Sequence, residues 1–76
     1  GLKIYYSHDA VVVHSEESSW ADLTLYTVSG QEVASSRLNM SGDRAEFHMG
    51  VLPTGTYIAR ACDAEGNVCS MKFIYK

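Results

Sequence analysis

Ser7-His8-Asp9 places the three residue types of a hydrolytic triad in consecutive positions. A triad needs its groups converging on one line of proton transfer. Neighbouring residues of a strand or turn diverge instead, so this segment is expected to be a turn. His14 and His48 are the other histidines. They approach each other only if their segments pair, and neither has a carboxylate or cysteine at tight metal-ligand spacing. Solvated histidines are the expectation. Cys62 and Cys69 are too few for a disulfide scaffold or a zinc site. Asp63-Ala64-Glu65-Gly66-Asn67 is similar to the opening of a calcium-binding loop but lacks its length and its distal bidentate acid. Asn39-Met40-Ser41 matches a glycosylation sequon. Tyr5, Tyr6, Trp20, Tyr26 and Tyr75 are able to line a carbohydrate or peptide platform, although core and sheet packing is the expected use of most of them. No Gly-rich loop follows a strand and opens a helix. The chain is therefore expected to be non-enzymatic, with no cofactor and no metal.

These residues need a scaffold, and composition bounds it. With 76 residues the chain makes one domain near the lower limit for independent folding. A chain this size buries about 60% of its unfolded surface, which disfavours a deep enclosed pocket. The net charge of -3 implies no nucleic-acid or anionic-membrane partner. Hydrophobic residues at 46% and charged residues at 20% fit a folded domain rather than a disordered one. No apolar run approaches the roughly 18 residues of a membrane helix, so no membrane insertion is expected. A chain opening on Gly1 and reading at once as structure is expected to be a piece of a longer protein. The expectation is one domain over residues 1–76.

Short β-favouring runs recur between turn residues. They are Leu2 to Tyr6, Ala10 to His14, Ala21 to Val28, Gln31 to Arg37, Arg44 to Met49, Thr56 to Cys62, and Val68 to Tyr75. About seven short strands without a sustained helical period imply an all-β fold, a small immunoglobulin/fibronectin-III-like β-sandwich of antiparallel strands. Parity sets two hairpin registers. A three-residue loop ending in a left-handed Gly66 puts Tyr57 opposite Phe73, Ala59 opposite Met71 and Ala61 opposite Cys69. Cys62 then faces Val68 on the other side, so the two cysteines are not expected to form a disulfide. The same loop geometry at Val28-Ser29-Gly30 puts Leu25 opposite Val33. Runs 1, 2 and 5 are expected in one sheet and runs 4, 3, 6 and 7 in the other. The expected core is Ile4, Val11, Val13, Leu23, Leu25, Val33, Phe47, Leu52, Tyr57, Ala59, Ala61, Met71 and Phe73.

The most specific segment is Val51-Leu52-Pro53-Thr54-Gly55-Thr56-Tyr57-Ile58-Ala59-Arg60. It reads as a loop entering a strand. Pro53 fixes φ, Gly55 relieves the turn, and Tyr57 turns inward as in the tyrosine corner of sandwich domains. Upstream, Leu23-Thr24-Leu25-Tyr26-Thr27-Val28-Ser29-Gly30-Gln31-Glu32-Val33 reads as a strand, a turn and a returning strand. Downstream, Met71-Lys72-Phe73-Ile74-Tyr75-Lys76 is a last strand.

In that order these segments resemble the C-terminal sorting domain, type A, of the type IX (Por) secretion system, over residues 2–76. Leu52-Pro53-Thr54-Gly55-Thr56-Tyr57-Ile58 looks like that family's Leu-Pro-x-Gly-x-Tyr-Ile hallmark. The final segment looks like its Lys-Phe-aliphatic-Lys strand, with Tyr75 as an extra residue. The family's Pro-Asn-Pro opening has no counterpart in Tyr5-Tyr6-Ser7-His8. The resemblance implies a non-catalytic sorting domain of a Gram-negative exporter, crossing the periplasm and ending at the cell surface or outside. It implies an outer-membrane translocon and a sortase-like surface protease as partners. It carries the sorting role onto Gly30, Leu52, Pro53, Gly55, Tyr57, Lys72, Phe73 and Lys76. Parity further sends Tyr26, Val28, Ile58 and Ile74 outward beside Arg60 and Lys72, a possible docking face for the translocon, the parent's preceding domain or a second copy. The competing expectation is an immunoglobulin-like accessory or adhesive module of a surface protein, or a small standalone exported sandwich.

Overall fold

The computed structural model describes residues 1–76. Its strands are β1 (Lys3–Ser7), β2 (Ala10–His14), β3 (Trp20–Thr27), β4 (Glu32–Asn39), β5 (Arg44–His48), β6 (Gly55–Asp63) and β7 (Val68–Tyr75). A three-stranded sheet, β1-β2-β5, faces a four-stranded sheet, β4-β3-β6-β7, and every pairing is antiparallel. This is the expected small all-β sandwich, with its strands divided between the sheets as an immunoglobulin/fibronectin-like order predicts. The short 3-10 turn Met49–Val51 leads from β5 towards β6.

Alternation fills the space between the sheets. Val11, Leu23, Leu25, Met49, Tyr57, Ala59, Ala61 and Phe73 form the buried cluster, and Ile4, Tyr6, Phe47, Leu52, Met71 and Tyr75 pack around it. The Phe73 ring stacks on Tyr6 of the facing sheet at 5.0 Å between centroids. On its other neighbour, Tyr57, the separation is 6.0 Å. One aromatic ladder therefore ties β6 and β7 to β1 across the sandwich.

Two hairpins share one loop geometry. Thr27 N donates to Gln31 O and Gly30 N to Thr27 O; Asp63 N donates to Asn67 O and Gly66 N to Asp63 O. Gly30 and Gly66 take φ of +93° and +85°, the left-handed exit such loops require. The β6–β7 register is the expected one, with Tyr57 opposite Phe73, Ala59 opposite Met71 and Ala61 opposite Cys69. The β3–β4 register is not. Tyr26 pairs with Glu32, but Leu25 pairs with Ala34, and Val33 is the extra residue of a bulge. Val33 is consequently exposed rather than in the core. Without the bulge, Arg37 would turn inward opposite Ala21. With it, Leu38 turns inward there, and Arg37 reaches Asp22 on the outer face. Burying an unpaired guanidinium costs far more than one local ladder defect.

Other departures also have local causes. Strand β3 ends at Thr27, so Val28 belongs to the loop and not to the strand. Met49, placed by the 3-10 turn, is fully buried, and its N–H donates to Asp9 O at 2.8 Å. Val12 points to the outer face between Tyr5 and Glu46, yet is only 1% exposed. Arg44 bonds to both the Tyr5 hydroxyl and the Glu46 carboxylate, and these long side chains roof the valine.

The loop before β6 closes one end of the core. Leu52 is half-buried against the cluster, and the Tyr57 hydroxyl donates to the Pro53 carbonyl four residues upstream. That bond satisfies a buried polar tip and pins the loop to the strand. Gly55 between them takes φ of +156°, a region disfavoured for side chains with a Cβ. Tyr57→Phe should lose about 1–3 kcal/mol by orphaning the corner. Tyr57→Ala should lose about 3–5 kcal/mol. Gly55→Val should also lower the thermal midpoint clearly. Midpoints within a few degrees of the parent for all three would show that Leu52 to Tyr57 does not seal the core.

Candidate functional site

The β6–β7 hairpin is held by a single carboxylate. Asp63 is 2% exposed. Its Oδ1 accepts the Glu65 and Asn67 amides at 2.9 Å, and its Oδ2 accepts Asn67 Nδ2 at 3.1 Å. Burial pushes this carboxyl up, but the bonds from the Asn67 side chain and from the Asn67 and Glu65 amides outweigh it, and the net shift is downward. The buried Ser18 hydroxyl adds a weaker pull without a well-aligned hydrogen bond of its own. The segment that is similar to a calcium loop thus spends its carboxylate on turn amides.

The residues singled out for sorting fall on three structural landmarks. Gly30 exits the β3–β4 loop. Leu52, Pro53, Gly55 and Tyr57 make the corner. Lys72, Phe73 and Lys76 belong to the last strand and its end, Phe73 buried and the two lysines exposed. The structure does not gather these residues into one cavity.

The outer face of the four-stranded sheet is mixed. One row across it runs Glu32, Tyr26, Ile58, Lys72. The next runs Ser35, Thr24, Arg60, Ser70. Tyr26 and Ile58 are direct neighbours and both half-buried. Ile74 lies opposite Thr56, one row on, and is 57% exposed. Val28 is 59% exposed in its loop. Arg60 is exposed. The outward directions are as expected, but apart from the adjacent Tyr26 and Ile58, polar side chains separate the apolar ones.

Two polar–aromatic clusters escape a reading of the sequence, because each joins residues far apart in the chain. Arg37 bonds to both oxygens of Asp22 at 2.7 and 3.0 Å and lies 3.8 Å over the Trp20 ring. The Arg37 bond, against some desolvation, holds the Asp22 carboxyl below its usual range. On the facing sheet, Arg44 spans Tyr5 and Glu46. Between them β4 and β5 border an open groove of about 600 Å³ lined by Leu38, Asn39, Ser41 and Ala45 and by both arginines.

The remaining candidates stay apart. His14 pairs with Asp43 at 3.0 Å, while His48 lies at the other end of β5, 3.7 Å from Glu46. Ser7 Oγ and His8 Nδ1 are 2.8 Å apart, closer than expected of adjacent turn residues, but Asp9 takes its bond from the Tyr6 hydroxyl instead. Both cysteines are free thiols; Cys69 faces inward opposite Ala61, and Cys62 lies opposite Val68 on the other face. Burial, aided by the charge of Asp63, pushes the Cys69 thiol up. No family model matches the chain, and no curated protein shows significant similarity to it.

The Asp63 staple has a pH signature. A carboxyl whose folded pKa lies below its unfolded value stabilises the fold above the unfolded pKa of about 3.9 and ceases to do so as pH falls through the folded value. Asp63→Ala should lower the melting midpoint by several degrees at neutral pH. Asp63→Asn keeps one acceptor and should reduce the loss of stability below about pH 4, leaving the slope from Asp22, whose carboxyl is also lowered. An acid slope unchanged by Asp63→Asn would remove the staple from the account.

Proposed function

We propose that this sandwich is a non-catalytic C-terminal sorting module, recognised by an outer-membrane secretion translocon while carried on a larger exported protein. The reading rests on the type IX sorting-domain resemblance. One structural observation supports it most: β7, the last strand, lies at the edge of its sheet and leads into the exposed Lys76. A carrier would grip such a strand by shape, by backbone pairing and by the charges of the exposed Lys72 and Lys76. A sortase-like surface protease would be the second partner, and the parent's preceding domain the third. The route runs through the periplasm to the cell surface or beyond. The corner at Tyr57 and the Asp63 staple serve this role by keeping β7 in place.

A second reading, an accessory or adhesive module of a surface protein, draws on the groove between β4 and β5. Its two flanking arginines are each held against an aromatic ring or hydroxyl.

A reporter fused ahead of the domain, in a host carrying the secretion system, separates the two. A short polar extension beyond Lys76 leaves the core intact and should abolish export. His14→Ala and Glu46→Ala should be exported like the parent. Parental export of the extended fusion would contradict the sorting reading.

A further inference from the structure

Strand β7 leaves half of its backbone unpaired. In an antiparallel ladder, hydrogen-bonded and non-bonded pairs alternate. Asp63 N donates to Asn67 O, so the bonded pairs onward are Ala61 with Cys69, Ala59 with Met71, and Tyr57 with Phe73. The N–H and C=O groups of Val68, Ser70, Lys72 and Ile74 therefore point to the open side of the sheet. Strand β1 of the facing sheet packs beside β7 through Tyr6 on Phe73, but it is not hydrogen-bonded to it.

Exposed edges are normally blunted by shortness, bulges, prolines, inward charges or lysines along the edge. The other edges here carry such devices. β1 and β5 are five residues long, and β4 is bulged at Val33. β7 is eight residues long, runs without a bulge, holds no proline and no inward charge, and carries a single lysine, Lys72, on its outward side. Its inward residues are Cys69, Met71, Phe73 and Tyr75, all in the core or packed against it.

We infer that β7 is an interaction edge for a second copy of this chain, through antiparallel pairing about a two-fold axis at Met71. The strand is self-complementary in that register. Val68, 51% exposed, falls opposite Ile74 of the second copy, 57% exposed, and the two-fold repeats the pair. Ser70 falls opposite Lys72 of the second copy. All four outward residues then meet at hydrogen-bonded positions, forming about eight backbone bonds in a continuous eight-stranded sheet. Centring the axis at Lys72 would set lysine against lysine. Centring it at Ser70 would leave Ile74 unpaired. Sequence and edge chemistry thus select one register, independently of the sorting reading. The contact is one strand wide, so the dimer is weak and concentration-dependent.

Sedimentation equilibrium of the intact chain from micromolar to millimolar concentration tests this. A reversible monomer–dimer equilibrium is expected. Ser70→Lys should weaken it on the order of tenfold, since both symmetric pairs become like-charged. Ser70→Glu should tighten it, because each glutamate meets Lys72 of the second copy. Ser70→Pro removes an N–H that β6 does not use and should leave only monomer. Thermal melts check that each variant is folded, and the opposite signs of the Lys and Glu variants keep the test sharp if the proline variant is not. A chain that stays monomeric throughout, or a dimer indifferent to the charge at position 70, overturns the inference.

Discussion

The β6–β7 register is the constraint on which the rest of this sandwich depends, and the Asp63 carboxylate holds it. Three hydrogen bonds from two residues converge on that group inside a five-residue hairpin end. Because side chains alternate with period two, and β6 is also paired to β3, a slip of one residue in this hairpin would exchange the faces of β7. Cys69, Met71, Phe73 and Tyr75 would leave the core together. Ser70, Lys72 and Ile74 would enter it. The loop therefore specifies the core far from its own position.

From that register the corner and the aromatic ladder follow. Tyr57 faces inward, so its hydroxyl reaches back to Pro53 and closes the end of the sandwich. Phe73 lies opposite it, so the last strand is locked to Tyr6 of the other sheet. Two alanines on β6 contribute little volume, and a small core of this kind relies on its few large side chains. The same parity separates the two thiols onto opposite faces and decides which backbone groups of β7 stay unpaired. Fold, thiol chemistry and edge chemistry share one origin.

Where the sequence could be read, local chemistry was sufficient. Gly66 and Gly30 each end a three-residue loop, and parity then carried the β6–β7 pairing to the end of the chain. It failed on β4, because the bulge at Val33 answers a non-local demand. Arg37 must reach Asp22 and Trp20, which lie on another strand, and no window around Val33 contains them. Val12 failed for the same reason, its cover coming from Tyr5, Arg44 and Glu46 on both flanking strands. Met49 was absent from the expected core although alternation already sets it on the face of Ala45 and Phe47; β5 ends at His48, and the 3-10 turn that follows keeps it fully buried. The motif residues Leu52, Pro53, Gly55 and Tyr57 were legible as a corner, since each acts within a few positions of the next.

Amide hydrogen exchange along β7, measured at high dilution, tests the register most directly. The account predicts slow exchange at Cys69, Met71 and Phe73, whose N–H groups bond to β6. It predicts fast exchange at Ser70, Lys72 and Ile74, whose N–H groups face the open edge. Slow exchange at Ser70, Lys72 and Ile74 with fast exchange at their neighbours would place the strand one residue out of register and contradict the account.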